Sequence, residues 1–128
     1  MRGVLDTSVF IAREHGGPLE SDRLPDEAGV SVITLAELTL GVHMAVCEDV
    51  RARRLATVGA LRSVYVPLPV DEDVAGAFAE LVCAARRAGR RPKVQDAWIA
   101  ATARAYSVAV YTRDGDFDEL PGVDVVRV

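Results

Sequence analysis

Asparagine is absent from this chain, and lysine occurs once, as Lys93, against fourteen arginines. We read that bias as genome composition, and it excludes no function by itself. Cysteine is scarce too: Cys47 and Cys83 form no CxxC pair, and neither has a histidine at a zinc-like spacing. That excludes a sequence-evident zinc site, and two buried free thiols in a reducing compartment are expected instead. Long apolar runs are missing as well. None approaches the roughly 20 residues that span a bilayer, and Asp6 interrupts Gly3-Val4-Leu5 too early for a secretory signal. A cytoplasmic protein with no place in a membrane is expected.

There is no internal repeat and no linker, so residues 1–128 read as a single domain. That length buries about two-thirds of the unfolded surface. Half of the residues are hydrophobic, which sets the chain apart from disordered sequences. A net charge of −4 leaves no global footprint of a nucleic-acid binder. It is compatible with an acidic site flanked by a local basic patch.

Apolar runs and caps predict alternating strands and helices. Strands are expected at Gly3-Leu5, Gly29-Ile33, Val64-Val66, Val108-Tyr111 and Val123-Val128. Asp6, Thr7 and Ser8 are N-cap candidates for a first helix, which Gly16-Gly17-Pro18 breaks. Thr34-Leu35-Ala36-Glu37 has the form of a capping box. Asp49 and Asp71 are further caps; the helix after Asp71 keeps Val74, Phe78, Leu81, Val82 and Ala85 on one face and ends at Gly89. Ala97 to Ala103 is apolar on nearly every face, which demands a buried helix. Such alternation implies an α/β fold with a mostly parallel sheet covered on both faces.

In these folds, ligands bind outside the carboxyl ends of the strands. Four acids fall at such places. Asp6 and Asp114 follow strands, Glu37 lies a turn beyond another, and Asp96 opens the buried helix. Two ionised carboxylates about 5 Å apart repel by roughly 3 kcal/mol at an effective dielectric near 20. Four together must share protons or hold a cation, and an all-oxygen set without histidine or cysteine suits Mg²⁺ or Mn²⁺. A metal so held takes phosphate oxygens and orients water for attack at phosphorus, which points to a nuclease or phosphatase.

Val4-Leu5-Asp6-Thr7-Ser8, Ile33-Thr34-Leu35-Ala36-Glu37-Leu38, Asp96 to Ala103 and Tyr111-Thr112-Arg113-Asp114-Gly115-Asp116-Phe117 resemble the four blocks of the PIN-domain ribonucleases. The likeness is greatest to the VapC toxins of type II (VapBC) toxin–antitoxin pairs. The blocks run in the family's order over almost the whole chain. The resemblance implies a PIN-like α/β/α sandwich with strand order 3-2-1-4-5 and a Mg²⁺- or Mn²⁺-dependent endoribonuclease toxin acting on RNA, with tRNA or rRNA expected. It also implies a homodimer and neutralisation by a VapB-like antitoxin. The family's acidic positions carry over to Asp6, Glu37, Asp96 and Asp114, with Asp116 competing with Asp114 for the metal. Thr112, Thr7 and Ser8 match supporting hydroxyl positions.

Plainer readings exist for each residue. Asp6, Glu37 and Asp96 also suit helix caps or first-turn acids, and one of Asp114 and Asp116 suits a polar turn. Arg90, Arg91 and Lys93 are candidate RNA-phosphate contacts, or simply a solvated helix end. His15 and His43 offer a metal-free acid–base pair that nothing local brings together, and Trp98 reads as core. A receiver-type signalling domain fails, since Pro67-Leu68-Pro69 follows the third strand and Lys93 is the only lysine. A PIN-type nuclease outside toxin–antitoxin systems, a catalytically silent RNA- or protein-binding module, and a DNA substrate are the remaining alternatives.

Overall fold

The computed structural model describes residues 1–128. Four strands, β1 (Arg2–Leu5), β2 (Glu27–Gly29), β3 (Ala109–Thr112) and β4 (Val125–Arg127), form one sheet in the order β2-β1-β3-β4, every pair parallel. Five helices accompany them: α1 (Thr7–Glu14), α2 (Val32–His43), α3 (Glu48–Val64), α4 (Glu72–Arg87) and α5 (Val94–Ala105). Side chains alternate across a strand, and β1 splits the core accordingly. Val4 joins Val110 and the inner faces of α4 and α5 on one side of the sheet. Leu5 and Tyr111 join Val9, Phe10, Leu38, Val58 and Leu61 of α1, α2 and α3 on the other. This is the expected α/β/α sandwich. No helix is long and apolar enough to cross a membrane.

Several elements fall where local chemistry places them. Asp71 caps α4 by accepting from the Val74 amide at 3.0 Å, and Gly89 closes the same helix at φ +74°. Helix α5 is buried at Ala97, at every residue from Ile99 to Ala103 and at Asp96 itself.

Four expectations need correction. Asp49 is no cap: it lies within the first turn of α3, whose N-cap position is Cys47. The third strand is absent: α3 runs on through Val64, and only Leu68 pairs, through a single parallel bridge to Ser31. Pro67 and Pro69 flank Leu68 and lack the N–H that a longer ladder requires. With that bridge counted as the third strand, the order 3-2-1-4-5 holds. The second strand ends at Gly29, so α2 begins earlier than expected. Its cap is Ser31, whose Oγ accepts from the Ile33 amide at 3.0 Å, and Thr34 is a buried residue within the helix. Thr34 and Glu37 therefore form no capping box. Finally, Cys47 and Cys83 are free but exposed, Cys47 at the N-cap position of α3 and Cys83 on α4.

Candidate active site

The site grows out of the ends of β1 and β3. The Asp6 amide donates to the Tyr111 carbonyl at 2.9 Å, prolonging the sheet by one bond. Asp6 then caps α1, and its side chain turns back beneath the helix, 3% exposed. Its Oδ2 accepts from the Ser8 hydroxyl at 2.6 Å, the Thr112 hydroxyl at 2.9 Å and the Ser8 amide at 3.3 Å. Each hydroxyl receives a backbone N–H in return: Arg113 donates to Ser8 Oγ at 3.0 Å and Asp114 to Thr112 Oγ1 at 3.2 Å. Three donors thus converge on one oxygen of Asp6 and fix its orientation. The same bonds tie the loop after β3 to the start of α1.

Glu37 occupies the second turn of α2. Thr7 donates to its Oε1 at 2.8 Å, and Thr7 Oγ1 also lies 3.0 Å from Thr34 Oγ1, which joins α1 to α2. Burial raises the Glu37 carboxyl above its ordinary range, the Thr7 bond opposes that, and the charges of Asp6 and Asp114 add to it. Asp114 is raised by burial first and then by Asp6 and Asp116, against the hydrogen bond from the Asp116 amide to its Oδ1 at 3.1 Å.

Asp96 stands apart from the others. It is buried in the first turn of α5, and its Oδ2 has no hydrogen-bond partner. Burial pushes it up to about 7, and Asp6, Asp114, Asp116 and Glu37 reinforce the shift. Acidic side chains from the start of α1, from α2, from α5 and from the loop after β3 are thus near enough to act on one another electrostatically. No three of them close to metal-ligand spacing. The residues fit a hard divalent cation on two grounds. The donors are all oxygen, and the unsatisfied Asp96 oxygen is a buried acceptor for which the protein supplies no proton.

The PIN-domain family model matches residues 3–123. The chain belongs to the PIN-domain family. It is 45% identical to ribonuclease VapC5 of Mycobacterium tuberculosis over 98% of this chain and 95% of that one. Ribonuclease VapC4 of the same organism is 44% identical over 99% and 97%. A crystal structure of VapBC-5 from M. tuberculosis, a member of the VapBC toxin–antitoxin family, superposes with a TM-score of 0.91 at 43% identity, covering 99% of this chain and 98% of that one. This PIN domain is thus VapC-like along its whole length.

The remaining candidate residues make other contacts or lie exposed. Lys93 Nζ donates to Asp116 Oδ2 at 2.8 Å and Arg90 Nη1 to the Asp118 carbonyl at 2.6 Å, while Arg91 lies exposed between them. Two of the three candidate RNA contacts therefore hold the 3₁₀ turn Asp116–Glu119 in this PIN domain. Arg127 reaches the same turn at Asp118 Oδ2, 3.3 Å away. No hydrogen bond or ion pair joins His15 to His43, and both are exposed. Trp98 stacks on Phe78 with ring centroids 3.7 Å apart, packed against the core. Sequence reasoning missed the buried Thr34 beneath Thr7. A threonine one turn before Glu37, on the same helix face, was the available signal.

Proposed function

We propose that this PIN domain is a Mg²⁺- or Mn²⁺-dependent endoribonuclease toxin of the VapC type. The observation that carries the reading is the unpartnered Asp96 oxygen among the carboxylates of Asp6, Glu37 and Asp114, at the carboxyl end of a parallel sheet. Asp6, Asp96 and Asp114 are the residues to hold the ion, with Glu37 at the rim. The chemistry a bound ion supplies is charge neutralisation at phosphorus and orientation of a water for in-line attack.

The chain's own side chains do the rest. Ser8 and Thr112 hold the Asp6 carboxylate in one orientation. Thr7 holds Glu37 with Oε1 engaged, so its second oxygen is the one left to accept a proton or position water. Asp96 carries the pocket's proton near neutral pH when no cation offsets the surrounding charge.

The substrate we infer is RNA with accessible single-stranded loops, of the tRNA or rRNA kind, where backbone and bases are splayed out. Neutralisation by a VapB-like antitoxin and a homodimeric unit belong to the same reading; similarity to a chain solved within a VapBC pair supports the former. The test is cleavage of structured RNA during Mn²⁺ titration and in chelator. Cleavage that needs the ion and leaves 5′-phosphate and 3′-hydroxyl ends is expected. Cyclic phosphate ends, or undiminished activity in chelator, would overturn it.

A further inference from the structure

The loop after β3 presents two aspartates to the pocket, and the structure treats them differently. Asp114 has one oxygen bonded to the Asp116 amide. Asp116 has its Oδ2 bound by the ammonium of Lys93, and its side chain is 42% exposed. Lys93 is the residue that caps α5 by its backbone, three positions before Asp96. Arg90 and Arg127 clamp Asp118 in the same 3₁₀ turn, so Asp116 is held from two further elements.

We propose that Lys93 is a positioning residue which keeps Asp116 out of the ion's ligand set, leaving Asp114 as the loop's ligand. This rests on the reading of the pocket as a divalent-cation site. The pair works as an internal counter-ion. While Lys93 binds Asp116, the loop adds one carboxylate to the pocket, not two, and the ammonium weakens the pocket's hold on a divalent cation. A weakly held ion exchanges readily, whereas a second loop carboxylate would bind it tightly. The sole lysine thereby sets how much cation the site needs in order to load.

Direct Mn²⁺ binding tests this without RNA, by electron paramagnetic resonance of free Mn²⁺ against wild type, Lys93→Met, Asp116→Asn, the double variant and Lys93→Arg. Both side chains are substantially exposed, and thermal melts confirm that each variant folds. Lys93→Met should tighten Mn²⁺ binding about tenfold, from the removed charge and the freed carboxylate. Asp116→Asn should leave the wild-type affinity nearly unchanged, yet weaken binding clearly in the Lys93→Met background. Lys93→Arg should behave as wild type. Equal weakening by Asp116→Asn in both backgrounds, or looser binding in Lys93→Met, would overturn the inference while the cation site stands. A wild-type protein that takes up no Mn²⁺ would remove the cation site itself.

Discussion

Thr112 and Asp6, 106 residues apart in the chain, share a buried hydrogen bond of 2.9 Å. It joins the end of β3 to the end of β1, and the Thr112 hydroxyl is set by the Asp114 amide behind it. One side chain thus links two acids of the site. Thr112→Val keeps the shape and removes the donor. A lost hydrogen bond to a charged group costs about 1.5–3 kcal/mol, and loss of a partner behind a metal-binding carboxylate costs about 10–100-fold in affinity or activity. Urea unfolding and Mn²⁺ binding should both register the change. Wild-type values for both would mean that Ser8 alone orients Asp6.

Asp96 makes the metal-free protein less stable as pH rises. Its carboxyl is raised from 3.8 to about 7, so between those values the folded protein holds a proton that the unfolded chain has released. Stability is then greatest below the unfolded value and declines up to about pH 7. Glu37 and Asp114, also raised, act in the same direction. Unfolding in chelator at pH 5 and pH 8 should therefore show the lower stability at about pH 8. Asp96→Asn should remove most of that slope and stabilise the protein at the higher pH. Saturating Mn²⁺ should flatten the wild-type profile by binding the folded form. A wild-type protein that is more stable in chelator at the higher pH would contradict the whole arrangement.

Glu37→Gln separates charge from structure. The amide oxygen can still accept from Thr7, at 2.8 Å in the wild type, and the helix start depends on Ser31. Folding should be intact, and stability at pH 8 equal or higher, because repulsion with Asp6 and Asp114 is relieved. RNA cleavage should fall by at least about 100-fold, as for groups that act as a unit around a metal. A fully active Glu37→Gln protein would reduce this residue to a link between α1 and α2.

Much of this site is legible in the sequence because strands and helices announce their ends. Asp6 and Asp114 follow short apolar runs that read as strands, and Asp96 opens a helix too apolar to lie anywhere but at the centre. Glu37 is found on the expected helix, but through a misleading signal. Thr34-Leu35-Ala36-Glu37 imitates a capping box, whereas Ser31 takes the cap because its backbone bridges to Leu68. Val64-Tyr65-Val66 has strand composition, yet tertiary packing of Leu61 and Val58 carries α3 through Val64. The exposure of the two cysteines and the pairing of Lys93 with Asp116 are invisible to spacing. They depend on which helix face the fold leaves outward, and on which of several nearby charges a flexible side chain meets.

Gly3 shows how the sheet itself protects the site. A Cβ added there would lie 2.2 Å from Cε1 of Tyr111 and 3.2 Å from the Ala109 carbonyl oxygen. The Tyr111 ring is 2% exposed and cannot swing clear without opening the core. Overpacking of this kind costs about 1–3 kcal/mol or more. The Tyr111 carbonyl also accepts from the Asp6 amide, so a displaced β3 would move Asp6 and loosen its bond to Thr112. Gly3→Ala should therefore lower the melting temperature and weaken Mn²⁺ binding together, although no metal-facing atom is changed. A variant that is destabilised but binds Mn²⁺ as tightly as wild type would show that the ring yields without carrying the backbone with it.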